Sequence, residues 1–186
     1  MLPILSDSAP SLFFNVPYTE RAVSRETVDI VHFMKPGFDE WERKGYQSQK
    51  CIPENAFYDR IYYWGEKSAQ ASRFYLARLL TRLNDGGYLI AAAKNDENGK
   101  RYQKWFEEFG LQPQNISKKK TRIVFAKKEL VKIDVINQAI EESSDYKITY
   151  NSVEFKTHPG IFSAQKIDQG SILLIENLSD ELKGVG

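Results

Sequence analysis

The sequence predicts an α/β fold with a largely parallel sheet flanked by helices, and three observations carry that reading. Strand-like and helix-like patterns alternate from residue 57 to residue 126. Residues 88–93, Tyr-Leu-Ile-Ala-Ala-Ala, form a continuous apolar run of the kind found in strands covered on both faces. Two intervening segments carry apolar residues at the helical period. Strand, helix, strand, helix, strand is the pattern of a sheet built from crossover units.

The elements follow in order. Leu12 to Val16 and Val28 to Phe33 are short β-prone runs, each ended by a proline a few residues on. Residues 38–52 are mixed, with Gly37 and Gly45 as breakers, and fit helix or irregular chain. Residues 57–64 read as a strand. Residues 68–83 read as a helix with Ser68 as N-cap and Ala69, Ser72, Leu76, Leu79, Leu80 and Leu83 on its inner face. Arg73, Arg78 and Arg82 are expected on its solvated side. Gly86 and Gly87 then offer a left-handed residue to close that helix. A second helix is expected over 99–109, where Tyr102, Trp105, Phe106 and Phe109 recur at the spacing of one face and fit core packing better than base stacking. Residues 121–126 form the next strand and 131–142 a helix. Residues 146–155 alternate around Tyr150-Asn151-Ser152 and read as a hairpin, and 168–178 form a short amphipathic helix. The expected division is a domain over 1–145 and an extension over 146–186, a hairpin and helix.

Bulk properties limit the function classes. The chain has 186 residues, a net charge of +1 and a single cysteine, Cys51. Near-neutral charge leaves nucleic-acid contact to local patches. One cysteine makes neither a disulfide framework nor a thiolate zinc site, which fits a reduced, cytoplasmic setting. The N-terminus lacks the pattern of a secretory signal. No Gly-x-Gly-x-x-Gly, P-loop or His-Glu-x-x-His is present, and His32 and His158 stand apart from any metal-ligand spacing. No catalytic, cofactor-binding or metal-binding residue is therefore assigned. The dense basic run is Lys118, Lys119, Lys120, Arg122, Lys127 and Lys128. Beside a strand it could meet RNA phosphates, or it could keep an edge strand soluble.

Two segments resemble a known family. Tyr62-Tyr63-Trp64-Gly65-Glu66-Lys67-Ser68 before a helix, then residues 79–87 and Asn95-Asp96-Glu97-Asn98-Gly99, are similar to the N-terminal domain of RsmC-type ribosomal RNA guanine-N2 methyltransferases. Gly65-Glu66-Lys67 stands where that family has Pro-Lys. Residues 155–163, Phe-Lys-Thr-His-Pro-Gly-Ile-Phe-Ser, with Asp168-Gln169-Gly170-Ser171 behind them, resemble the entry to the catalytic domain of the same family. There it reads Pro-Gly-Val-Phe-Ser, then Asp-x-Gly.

The resemblance implies a Rossmann-like fold that is a degenerate copy of the methyltransferase fold. Its role would be to scaffold the catalytic half and help recognise substrate, in a parent enzyme that uses S-adenosylmethionine. The donor loop and the Asn-Pro-Pro-Phe motif of such enzymes are absent from these residues, so the chain is expected to be the part that precedes the catalytic domain. Pro159, Gly160, Phe162 and Ser163 would form an interdomain or substrate-side loop. Small-subunit ribosomal RNA and the catalytic domain would be the partners, with self-association of the fragment a further expectation. A protein-interaction module without an RNA role, and an active methyltransferase with an atypical donor site, remain as alternatives.

Overall fold

The expected strand over 57–64, helix over 68–83 and strand from 88 form the centre of a seven-stranded sheet. The computed structural model of the chain describes residues 8–18, 24–144, 146–157 and 166–177. The sheet strands are β1 (Ser11–Phe14), β2 (Val28–Val31), β3 (Ser48–Gln49), β4 (Tyr58–Trp64), β5 (Leu83–Lys94), β6 (Gln114–Lys118) and β7 (Thr121–Lys127), in the order β3-β2-β1-β4-β5-β7-β6. The pairs β3–β2, β2–β1, β1–β4 and β4–β5 are parallel, whereas β7 runs antiparallel to both β5 and β6. The fold is thus Rossmann-like, a mostly parallel mixed sheet flanked by helices.

The helix after β4, α2 (Ala69–Thr81), begins where expected. Ser68 is extended at its N-cap, and its hydroxyl accepts from the Ala71 N–H at 3.2 Å. The buried surface is wider than one stripe. Ala71, Phe74, Tyr75, Leu76, Ala77, Leu79 and Leu80 are all buried. One side of α2 faces the sheet, and α4 (Ile133–Ser144) covers another, burying Ile136 and Ala139. Helix α3 (Tyr102–Glu108) supplies Tyr102, Trp105, Phe106 and, just beyond it, Phe109 to the same core. Core packing is where the sequence placed this stripe.

The opposite face of the sheet carries a smaller core of Phe13, Ile30 and Trp41. Trp41 comes from α1 (Lys35–Arg43), and its indole N–H donates to the Val16 carbonyl at 2.9 Å. The glycine at 37 does not break this helix. Pro36 starts it, since its missing N–H falls among the unpaired groups of the first turn.

Gly86 corrects another expectation. Helix α2 closes on Arg82, and Leu83 is already in β5. The φ of +80° at Gly86 instead serves a bulge, where the register jumps from Tyr58 opposite Leu83 to Arg60 opposite Tyr88. A side chain at Gly87 would sit 2.9 Å from the Asp59 carbonyl oxygen.

The extension contains a hairpin, β8 (Tyr146–Tyr150) and β9 (Val153–Thr157), turning at Asn151 and Ser152, both with positive φ. Helix α5 (Gln169–Asn177) follows, with no buried residue. Leu173 and Leu174 on this helix are each 65% exposed. The hairpin strand β9 is largely solvated too, and Tyr150 Oη at the end of β8 donates to Glu176 Oε1 of α5 at 3.3 Å. No helix among the described residues is long and apolar enough to cross a membrane.

Candidate functional site

In an open α/β sheet, ligands bind outside the carboxyl ends of the strands at the point where strand order reverses. Here that point lies between β1 and β4, because the chain steps from β1 to β2 and β3 on one side and from β4 to β5 on the other. The residues leaving those strands are Asn15 after β1, and Gly65 and Glu66 after β4.

Asn15 is buried and left-handed, with φ 55°. An asparagine tolerates that conformation because its short amide can bond locally. Asn15 Oδ1 accepts from the Phe33 N–H at 3.1 Å, which fixes the chain leaving β2. Asn15 Nδ2 donates to Glu66 Oε1 at 2.5 Å, across the mouth of the crevice. Glu66 is tied again by its backbone: its N–H donates to Ser72 Oγ at 3.2 Å, and Ser72 Oγ donates to its carbonyl at 2.9 Å. Asn98, with φ 80°, donates through Nδ2 to the Glu66 and Lys67 carbonyls at 3.0 and 2.8 Å.

Beside this network Tyr102 fills the space next to the strand end. A Cβ on Gly65 would come within 1.5 Å of Tyr102 Oη. The rings of Tyr63 and Tyr102 stack at 6.2 Å. Burial raises the Glu66 carboxyl pKa, with the Asn15 bond opposing the rise. Burial likewise holds Tyr63 well above its usual value and pushes Tyr102 up to about 12. These hydroxyls stay protonated at neutral pH, and Tyr102 Oη donates to Ser72 Oγ at 3.5 Å. At the exit of β1 the residues are Asn15-Val16-Pro17, without a glycine, and the Asn15–Glu66 bond spans the crevice.

The basic residues singled out in the sequence separate in space. Lys119 and Lys120 form the two-residue turn between β6 and β7, both with positive φ, and Lys118 ends β6. These three are exposed, at the end of β5 where the crevice opens. Arg122 lies one step in, opposite Ala93, half-buried. Lys127 and Lys128 lie at the far end of β7. Lys127 pairs with Glu129 at 3.5 Å. Lys128 is largely buried and donates to the Leu83 carbonyl at 2.7 Å, with Asp85 at 3.3 Å, so it braces the β5 bulge. Strand β6, at one edge of the sheet, is an element the sequence pattern does not show. Pro159, Gly160, Phe162, Ser163 and His158 lie outside the described residues. His32 packs over Gly37, and among the described residues no group of three or more His, Cys, Asp or Glu could hold a metal ion.

Helix α2 is not simply solvated along its arginine side. Arg73 reaches Glu108 at 3.6 Å and Glu142 at 3.1 Å, joining α2 to α3 and α4. Arg82 donates to the Glu54 carbonyl and lies over the Phe57 ring.

Comparison with known proteins agrees with this architecture. A family model described as "Methyltransferase small domain" matches residues 152–186. A structure of the T. thermophilus 16S rRNA N2 G1207 methyltransferase (RsmC), in complex with AdoMet and guanosine, superposes with a TM-score of 0.66 at 22% identity, covering 93% of this chain and 49% of that one. A precorrin-6y C5,15-methyltransferase from Geobacter metallireducens superposes with a TM-score of 0.50 at 13% identity, over 67% of this chain and 82% of that one. No protein of curated function matches the sequence. The likeness establishes the fold, a Rossmann-like fold shared with these methyltransferases. The chain spans about half the length of the T. thermophilus structure it matches.

Proposed function

We propose that this chain is the non-catalytic half of an S-adenosylmethionine-dependent ribosomal RNA guanine-N2 methyltransferase. It scaffolds the donor-binding half and helps engage the RNA. The observation that carries the reading is the Asn15–Glu66 bond across the switch-point crevice, in a chain that superposes on a methyltransferase structure. A crevice bridged by its own side chains, with Tyr102 beside Gly65, does not cradle the donor. The T. thermophilus structure, which holds AdoMet and guanosine, is about twice as long as the part this chain covers. The match of residues 152–186 to the methyltransferase small domain supports the same division. In this reading the cofactor belongs to the partner half, and small-subunit ribosomal RNA is the substrate.

Titration calorimetry of the 186-residue chain with S-adenosylmethionine tests the reading. No saturable heat is expected. A micromolar dissociation constant would overturn it and make this half a donor site.

A further inference from the structure

Parallel strands are joined by crossovers of a dozen or more residues, usually helical. The crossover from β3 to β4 is shorter: residues 50–57 contain no helix. Where a crossover helix would cover the sheet, a groove of about 250 Å³ remains, between this segment and α2. That is slightly below the roughly 300 Å³ at which ligand pockets usually begin, so it suits one planar group rather than an extended molecule.

Its floor and wall are aromatic. Phe33 packs edge-on to Phe14 at 4.9 Å and tilted on Tyr75 at 5.1 Å, yet remains 39% exposed. Its rim is cationic. Lys50 comes from the crossover, Arg78 from the last turn of α2 and Arg82 from its C-cap. Among the described residues no carboxylate lies within ion-pair distance of Lys50 or Arg78. Glu54 also lines the groove, leaving it with three cations to one anion. Arg82 spends one donor on the Glu54 carbonyl and keeps its others. The groove thus pairs a solvent-open aromatic surface with an excess of positive charge.

The geometry points to a binding site for one unpaired nucleotide of an RNA strand. The base stacks against Phe33, and the flanking phosphates meet Lys50, Arg78 and Arg82. Stacking on an aromatic combined with basic side chains along the backbone is how proteins hold single strands. A duplex cannot present an unstacked base to so narrow a groove. This inference rests on the RNA-methyltransferase reading and names a place where this half touches the substrate. It differs from the Lys118–Lys120 turn, which offers charge without an aromatic partner.

The groove carries its own reporter. Cys51 is the only cysteine of the chain, is exposed, and lines the groove. The rate at which Cys51 reacts with a thiol-specific chromogenic disulfide is measured with and without a saturating twelve-nucleotide unstructured RNA, binding being followed by fluorescence anisotropy. Single-stranded RNA is expected to slow the reaction at least fivefold, and a duplex of the same length to leave it unchanged. Phe33→Ala should weaken binding roughly tenfold with the same salt slope. Lys50→Ala and Arg78→Ala should each lower the slope of log K against log salt by about 0.7. Circular dichroism melts confirm that each variant is folded.

Binding that leaves the Cys51 rate unchanged, and that falls away in a Lys118→Ala, Lys119→Ala, Lys120→Ala variant, overturns the groove while the RNA reading stands. Absence of binding to any RNA at low salt overturns both the groove and the RNA role of this half.

Discussion

Asn15 Nδ2 lies 2.5 Å from Glu66 Oε1, a bond between residues 51 positions apart that joins the ends of two neighbouring parallel strands. It holds a carboxylate half-buried at the place where the fold would otherwise open to a ligand. The surroundings set the sign of its effect on stability.

Burial raises the Glu66 pKa above that of the unfolded chain, about 4.3. The folded state therefore binds more protons than the unfolded state between the two values. The contribution of Glu66 to stability is fully present below the unfolded pKa and is lost as pH rises through the folded one. Glu66→Gln keeps an oxygen for Asn15 and removes the charge. Its melting temperature should exceed that of the wild type at pH 7.5, and the gap should close as pH falls to 4. A gap that widens on acidification would show that the Asn15 bond, not burial, dominates.

Gly65 is required by the Tyr102 hydroxyl. Gly65→Ala should destabilise the fold by about 1–3 kcal/mol, the range for overpacking. Adding Tyr102→Phe removes the oxygen nearest the new methyl and should recover part of the loss. Urea unfolding of both variants measures the recovery. Equal losses in the single and double variants would place the strain elsewhere.

Two adjacent lysines should differ in their effect on stability. Lys128→Ala leaves the Leu83 carbonyl without its donor and should cost about 1–3 kcal/mol. Lys127→Ala breaks only an exposed pair with Glu129 and should change stability by less than about 1 kcal/mol. Chemical denaturation of each variant gives the comparison, and equal values would contradict the bracing role of Lys128.

Leu173 and Leu174 present an apolar surface on α5. Burying such side chains contributes roughly 1.5–3 kcal/mol each, so the isolated chain should self-associate through them. Leu173→Asp with Leu174→Asp should shift sedimentation toward monomer without altering the melting temperature. A lower melting temperature would mean that α5 belongs to the core of the α/β unit.

The centre of the sheet was legible in the sequence because its signals are local. Ser68 caps α2, the apolar run from Tyr88 marks β5, and Tyr102 to Phe109 repeat at the helical period. Strand β6 was not legible: Gln-Asn-Ile-Ser-Lys is exposed at every position and has no apolar alternation. It is extended because β7 pairs with it, a fact about another segment. The same holds for the site. Asn15, Glu66 and Tyr102 are unremarkable singly, and only the parallel register of β1 against β4 brings the first two together. The groove at Phe33 escaped notice because it follows from a helix that is missing, and Gly86 was misassigned because a helix C-cap and a strand bulge both take a left-handed glycine.

Strand β7 is inserted between β5 and β6, so β6 has no other strand to hold its backbone amides. Its two-residue turn makes docking onto β7 fast and local, but its backbone pairing comes from that one neighbour, with a side-chain bond from Asn115 to Gln103 of α3 beside it. Local opening draws on the least anchored elements first. Amide protons of Asn115 to Ser117 should therefore exchange with deuterium orders of magnitude sooner than those of Leu89 to Ala91, and the sheet should melt inward from this edge, carrying the Lys119–Lys120 turn away from the crevice before the crevice itself opens.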